Sequence, residues 1–213
     1  SPIFQLGGFS QWKRAESSIW AFKNLLDVEI LTTCLFDRDY RSSEEILSFV
    51  EKMNSSSLDC SVLKRKEIEN YLLAPRAISK AIITKKRELG DINFIVSEDE
   101  IKKIIINESN QFKNNVSAQT VSNYLRFERE RNSRKDDSTI IGHALINFED
   151  EWNTFEGMRK LVPGKELLRN VIDELKRKYK VSVTISMIQN HMNSDDIGEE
   201  MCELLRRINV FFE

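Results

Sequence analysis

Glycine and proline are scarce in this sequence, with 7 and 3 among its 213 residues. Few tight turns and long helices are therefore expected. Only three cysteines are present, Cys34, Cys60 and Cys202, and their spacing fits neither a disulfide framework nor a zinc site. Cys34 and Cys60 fall inside apolar runs, as is typical of buried thiols in a reducing compartment, so we expect a cytoplasmic protein. No apolar run approaches the roughly 18 residues of a membrane span, and we expect no membrane partner.

A strong excess of charge of one sign is also missing. The chain has 32 basic and 34 acidic residues and a formal net charge of −2. This balance argues against a protein that holds nucleic acid by its overall charge, although it leaves a local basic groove open. A basic run at residues 126–135 is interleaved with acidic residues, which favours a solvated face over a phosphate-binding surface.

Short apolar segments alternate with helical patterns in the first third of the chain. The predicted elements are a strand at 2–6, a turn at Gly7-Gly8, a helix at 10–26, a strand at 28–36, a helix at 42–53 and a strand at 58–63. The strand at 28–36 is β-branched and almost continuously apolar, as in a parallel sheet buried on both faces. We therefore predict a Rossmann-like α/β core with a parallel sheet over residues 1–73 and a large, mostly helical region over 74–213.

Two acidic residues follow the end of the buried strand at 28–36. Asp37 and Asp39 lie where ligands bind in open α/β sheets, and in an extended segment their side chains point to the same side. Such carboxylates suit Mg²⁺, which prefers oxygen ligands, and a pair of ions can clamp a phosphodiester. Two other interpretations stay open: the aspartates cap the next helix, or they pair with Arg38 and Arg41. Ser42 already fills the capping position.

A second acidic pair follows the next predicted strand. If the two strands are parallel neighbours, Glu67 and Glu69 converge with the aspartates on one edge of the sheet. Carboxylates gathered in this way repel one another unless cations neutralise them. Alternatively, Glu67 and Glu69 belong to an exposed first helical turn, where acids suit the helix dipole. Nearby basic residues are further candidates for neutralising the acids or contacting phosphates. They are Arg38, Lys64, Arg65 and Lys66.

The segments LFDRDYRSSEEI and KRKEIENYLLAP resemble the TOPRIM domain of OLD-family (overcoming lysogenization defect) ATPase-nucleases. The resemblance implies that Asp37 and Asp39 are the Asp-x-Asp of that domain. It also implies that Glu69, followed by Asn70, is a further acidic site residue, with Glu67 assisting.

A late lysine also belongs to the site of this family. Lys165 in VPGKELL is the candidate, and its alternative is an ordinary residue of a first helical turn. The predicted catalytic residues are Asp37, Asp39, Glu67, Glu69 and Lys165. The predicted metal ligands are Asp37, Asp39 and Glu69.

The sequence departs from the family pattern in two respects. No glutamate precedes Gly7-Gly8, so we expect a C-terminal portion that lacks the first strand of the domain and need not be active alone. The phosphate-loop motif G-x-x-x-x-G-K-[ST] is also absent from the sequence. An ATPase domain of the same polypeptide or complex is therefore an expected partner.

The resemblance implies a Mg²⁺- or Mn²⁺-dependent endonuclease that cleaves phosphodiester bonds. DNA is favoured over RNA as the substrate, and the expected setting is anti-phage defence. A homodimer is left open. The main alternative is a catalytically inactive TOPRIM-like module that binds nucleic acid or a partner protein. A TOPRIM enzyme of another class, such as a primase, is less favoured because no primase zinc motif is present.

Overall fold

The computed structural model describes four ranges of the chain, residues 12–25, 33–55, 59–131 and 133–209. The expected strand at 2–6 and the Gly7-Gly8 turn lie outside these ranges. The strand expected at 28–36 is described only from Thr33 onward. The fold is built from these ranges alone.

Two short parallel strands carry the candidate site. Strand β1, Thr33–Phe36, pairs with β2, Asp59–Val62, and the register places Cys34 opposite Cys60. The pairing continues beyond β2, because the Leu63 N–H donates to the Phe36 carbonyl at 2.9 Å. The predicted combination of parallel strands with a mostly helical remainder is confirmed. Among the described residues the sheet has two strands.

Helices make up most of the remainder. They are α1 (Trp12–Leu25), α2 (Ser43–Ser55), α3 (Pro75–Glu88), α4 (Glu98–Asn110), α5 (Lys113–Glu130), α6 (Asp137–Trp152), α7 (Phe155–Leu161), α8 (Gly164–Tyr179), α9 (Ile185–Asn190) and α10 (Ser194–Asn209). A 3-10 helix, Ile68–Leu72, follows β2. Within the described ranges, no helix combines the length and apolar character needed to cross a bilayer.

Short polar side chains set the starts of several helices. Ser97 accepts a hydrogen bond from the Glu100 N–H at 3.2 Å and caps α4, as its sequence position predicts. Thr154 caps α7 in the same way, through the Gly157 N–H at 3.0 Å. These caps satisfy N–H groups that have no partner inside the helix. They fix the boundaries between helices that otherwise have few glycine or proline signals.

The main hydrophobic core lies among α3, α4 and α8. Leu167, Val171 and Leu175 recur every fourth residue on α8 and are fully buried, as are Ile78 on α3 and Ile101 on α4. Burial of a side chain of this size contributes about 2 kcal/mol. The core therefore fixes α8 firmly, and with it the first turn that lies beside the 3-10 helix.

Helix α10 contacts β2 and the segment that follows it. Its Glu200 carboxylate accepts hydrogen bonds from the Lys64 N–H at 2.6 Å and the Tyr71 hydroxyl at 2.7 Å. Its Arg207 donates to the Ser61 hydroxyl at 3.1 Å. These contacts join the segment after β2 to a helix that lies more than 120 residues later in the chain.

Candidate metal-binding and catalytic site

Asp37 and Asp39 lie on a loop that is bonded to the segment after β2. Asp37 directly follows β1, and Asp39 adopts a left-handed backbone conformation with φ of 53°. The segment therefore turns at Asp39, whereas an extended conformation was expected from the sequence. The Asp39 N–H donates to the Lys66 carbonyl at 3.1 Å. Left-handed non-glycine residues are uncommon and cluster at functional sites.

The carboxylate of Asp37 is repelled by the other acidic residues of the candidate site. Its side chain is solvent-accessible, yet nearby protein atoms remove part of its hydration, and this raises the pKa of Asp37. The negative charges of Asp39, Glu69 and Glu67 raise the pKa further. A hydrogen bond from the Ile68 N–H acts in the opposite direction. The four acidic residues of the two strand ends are thus close enough to repel one another.

Asp39 and Glu69 keep most of their carboxylate oxygens available. The side chain of Asp39 is about half exposed, and its ion pair is a long one, 3.9 Å to Arg41. Glu69 makes no hydrogen bond or ion pair with another residue of the described ranges. No three His, Cys, Asp or Glu side chains in those ranges already form a compact metal-binding group. The available oxygens and the uncompensated negative charge nevertheless suit a hard divalent cation.

The two structural interpretations of the aspartates hold only in part: Asp39 pairs with Arg41 at 3.9 Å, and Asp37 forms no ion pair with another described residue. Ser42 caps α2 by accepting the Glu45 N–H at 3.1 Å, so the capping position is filled as expected. The Arg38 guanidinium is buried and bonds to the Arg41 carbonyl at 2.9 Å, the Lys64 carbonyl at 3.3 Å and the Ser43 hydroxyl at 3.3 Å. Arg38 therefore stabilises the loop by donating to carbonyl and hydroxyl oxygens, not to the aspartates.

Glu67 is engaged differently from Glu69. One of its carboxylate oxygens forms an ion pair with the Lys66 ammonium, and the other accepts the Lys165 N–H at 2.9 Å. The side chain is mostly buried between these partners. Glu67 therefore connects the segment after β2 to the first turn of α8. Its contacts are those of a structural link and leave it less available to a metal than Glu69.

Lys165 is brought to the acidic residues by this link. It is the second residue of α8, and its backbone N–H is the group that Glu67 accepts. Its side chain is exposed and has no ion-pair partner within the described part of the chain. The sequence alone placed Lys165 almost 100 residues from Glu67, and the fold makes the two neighbours.

Lys66 was one of the basic residues expected to neutralise the acids, and it pairs with Glu67, but its burial was not expected. It is buried, and its ammonium lies 4.8 Å from the centre of the Tyr40 ring while pairing with Glu67. Burial alone would lower the pKa of Lys66, but the hydrogen bond and charge of Glu67 outweigh burial and raise it. A run of charged residues such as 64–69 normally indicates an exposed segment, so the sequence held no signal for this burial.

The basic residues at the C-terminal end of α5 are largely neutralised. Arg126 pairs with Glu130, Arg129 with Asp137, and Arg131 with Glu44 and Glu128. This is the solvated face that the interleaved charges favoured. Exposed pairs of this kind contribute little to stability, about 0–1 kcal/mol each.

No protein-family model matches the chain, and neither a curated protein nor a solved structure matches it at a significant level.

Proposed function

We propose that Asp37, Asp39 and Glu69 bind divalent cations, Mg²⁺ or Mn²⁺, as the metal site of a TOPRIM-type nuclease module. One observation carries this proposal. The carboxylates of Asp39, Glu67 and Glu69 lie near that of Asp37 and raise its pKa. Among the described residues Glu69 makes no ion pair, and Asp39 makes a long one, 3.9 Å to Arg41. Proteins rarely gather such charge without a cation to neutralise it.

The proposed reaction is hydrolysis of phosphodiester bonds, with DNA as the favoured substrate. Bound divalent ions would supply Lewis acidity and activate water for attack at phosphorus. The three carboxylates hold those ions in this account. The backbone N–H of Lys165 bonds to Glu67, and its side chain is exposed and makes no ion pair with another described residue. We assign this side chain the role of binding the phosphate and stabilising its developing negative charge. Glu67 holds Lys165 in place.

The resemblance to OLD-family ATPase-nucleases supports a larger setting for this module. In that setting the chain works with an ATPase domain of the same polypeptide or complex, in defence against phage. The parallel pairing of β1 with β2, each followed by acidic residues at its carboxyl end, is the arrangement expected of a TOPRIM core.

A second candidate function is a catalytically inactive module that binds nucleic acid or a partner protein. One observation favours it: within the described ranges the acidic side chains do not form a ready-made group of three metal ligands. Such a module would keep the fold of the two strand ends and have no use for a cation.

Cleavage by the complete protein separates the two functions. The test compares Asp37→Asn with Asp99→Asn, which removes one exposed carboxylate on α4, away from the site. We expect Asp37→Asn to reduce Mg²⁺-dependent DNA cleavage by at least about 100-fold, a loss typical of removing one electrostatic contact to the transition state. Asp99→Asn should cleave as the unmodified protein does. Absence of cleavage by the unmodified protein with Mg²⁺ and with Mn²⁺ would favour the inactive module, whereas full cleavage by Asp37→Asn would remove Asp37 from the metal site.

A further inference from the structure

Asn70 is a fully buried polar residue whose amide is used completely. Its Nδ2 group donates to two carbonyls, those of Arg159 and Val162, each at 2.8 Å, and its Oδ1 accepts the Glu67 N–H at 2.9 Å. Arg159 belongs to α7, and Val162 lies in the link between α7 and α8. A single side chain therefore joins the 3-10 helix after β2 to the segment that leads into α8.

The chemistry of these partners requires an amide. Two carbonyl oxygens need two N–H donors, and one N–H needs an acceptor, which is the full inventory of an asparagine side chain apart from a second lone pair. An aspartate at position 70 would direct a carboxylate oxygen at two carbonyl oxygens and lose both donors. Unsatisfied buried polar groups are costly, so the position discriminates strongly between these two residues of equal size.

Gly164 makes the contact between Asn70 and α8 close. A Cβ atom on Gly164 would lie 2.3 Å from the Asn70 Oδ1 and 2.7 Å from the Asn70 backbone nitrogen. The absence of a side chain thus lets the start of α8 rest directly on the 3-10 helix. The next residue is Lys165, whose N–H is held by Glu67 at 2.9 Å.

We propose that Asn70 is a positioning residue, which fixes the first turn of α8 so that Lys165 is presented to the acidic site of Asp37 and Glu69. This inference rests on the proposed function, in which Lys165 contacts the phosphate. Asn70 itself touches neither metal nor substrate in this account. It acts through the carbonyls of Arg159 and Val162 and through its contact with Gly164.

A double-mutant cycle in the complete protein tests the inference. The variants are Asn70→Asp, Lys165→Ala and the pair of them, with DNA cleavage as the measurement. Misplacement of a catalytic group by about 1 Å costs about 100-fold in rate, so Asn70→Asp alone should lose between about 10- and 100-fold. If Asn70 acts through Lys165, the pair should cleave no more slowly than Lys165→Ala alone. Losses that multiply in the pair would overturn the proposal.

Ser79→Ala provides the control for general destabilisation. The buried Ser79 hydroxyl donates to the Val96 carbonyl at 2.8 Å, in the main core and away from the site. Combined with Lys165→Ala, its effect on cleavage should multiply. If Asn70→Asp does not fold, Gly164→Ala replaces it in the same cycle, because the added Cβ would meet the Asn70 Oδ1 at 2.3 Å and displace the first turn of α8. The pair of Gly164→Ala with Lys165→Ala is again expected to match Lys165→Ala alone, and multiplied losses contradict the proposal.

Hydrogen exchange gives an answer that does not depend on cleavage. In Asn70→Asp, or in Gly164→Ala if that variant is used, the Lys165 amide should exchange at least about 10-fold faster, since 1.4 kcal/mol of lost local stability corresponds to a factor of 10. Unchanged exchange overturns the positioning role even if the protein is a nuclease. Faster exchange in a protein that never cleaves DNA would contradict the proposed function and leave the structural link intact.

Discussion

The Asp39 backbone N–H donates a hydrogen bond of 3.1 Å to the Lys66 carbonyl. This bond links the acidic loop after β1 to the acidic segment after β2. The carboxylates of these two segments repel one another, and this repulsion contributes to the raised pKa of Asp37.

Glu69→Gln is expected to have opposite effects in the absence and presence of metal. Without metal it removes a charge that repels Asp37, so the free energy of unfolding should rise by about 0.5 kcal/mol, as for exposed charge pairs. With Mn²⁺ the variant should lose most of the stabilisation that binding gives, about 2.7 kcal/mol at a concentration 100-fold above Kd. Thermal unfolding with and without Mn²⁺ measures both effects.

Glu203→Gln on the exposed surface of α10 is the matched control. It should leave the Mn²⁺-induced stabilisation unchanged. An equal Mn²⁺ response in Glu69→Gln and Glu203→Gln would remove Glu69 from the set of metal ligands.

Gly164→Ala and Gly142→Ala should change stability in opposite directions. At Gly164 an added Cβ meets the Asn70 backbone nitrogen at 2.7 Å, so overpacking should lower the free energy of unfolding by about 1–3 kcal/mol. At Gly142, inside α6, nothing lies within 4 Å of the added Cβ. The gain in helix propensity should therefore raise the free energy of unfolding by about 0.5–1 kcal/mol. Urea unfolding of both variants checks the signs, and equal effects would contradict the close approach of α8 to Asn70.

Arg38→Ala should weaken metal binding without removing a ligand. The buried guanidinium holds the acidic loop through the Arg41 and Lys64 carbonyls. Its loss should lower the free energy of unfolding by about 3 kcal/mol, because buried acceptors are left without donors. The Mn²⁺ affinity should fall as well, measured by calorimetry on the folded variant. Arg169→Ala on the exposed face of α8 should change stability by no more than about 0.5 kcal/mol. Unaltered Mn²⁺ affinity in Arg38→Ala would show that the loop keeps its shape without this brace.

The pairing of the strands was predictable from the sequence. The contacts that distinguish Glu67 from Glu69 were not. The apolar run that ends at Phe36 and the strand that ends at Val62 indicated parallel neighbours with acidic residues at their ends. The family resemblance assigned Glu69 to the metal and gave Glu67 an assisting role, but nothing in the charged run itself distinguished the two. Their roles differ because Glu67 meets Lys165, and a contact between residues 98 positions apart leaves no local pattern.

The groups that hold the site together were the least predictable part. Asn70 and Lys66 are buried within a charged segment whose composition is typical of an exposed loop. Their burial depends on α7, α8 and α10 packing over the 3-10 helix, as in the bond from Tyr71 to Glu200. The turn at Asp39 could not be predicted for a similar reason. It is fixed by a hydrogen bond from the Asp39 N–H to the Lys66 carbonyl, and these two residues are distant in the sequence.

Mn²⁺ binding through Asp37 is the property on which the proposed metal site depends. Electron paramagnetic resonance of the bound ion, titrated into the unmodified protein, Asp37→Asn and Asp99→Asn, reports affinity without any need for cleavage. The account predicts saturable binding to the unmodified protein and to Asp99→Asn, and an affinity at least about 10-fold lower for Asp37→Asn, a loss of about 1.4 kcal/mol. The same affinity in all three proteins, or no saturable binding to any of them, would contradict it.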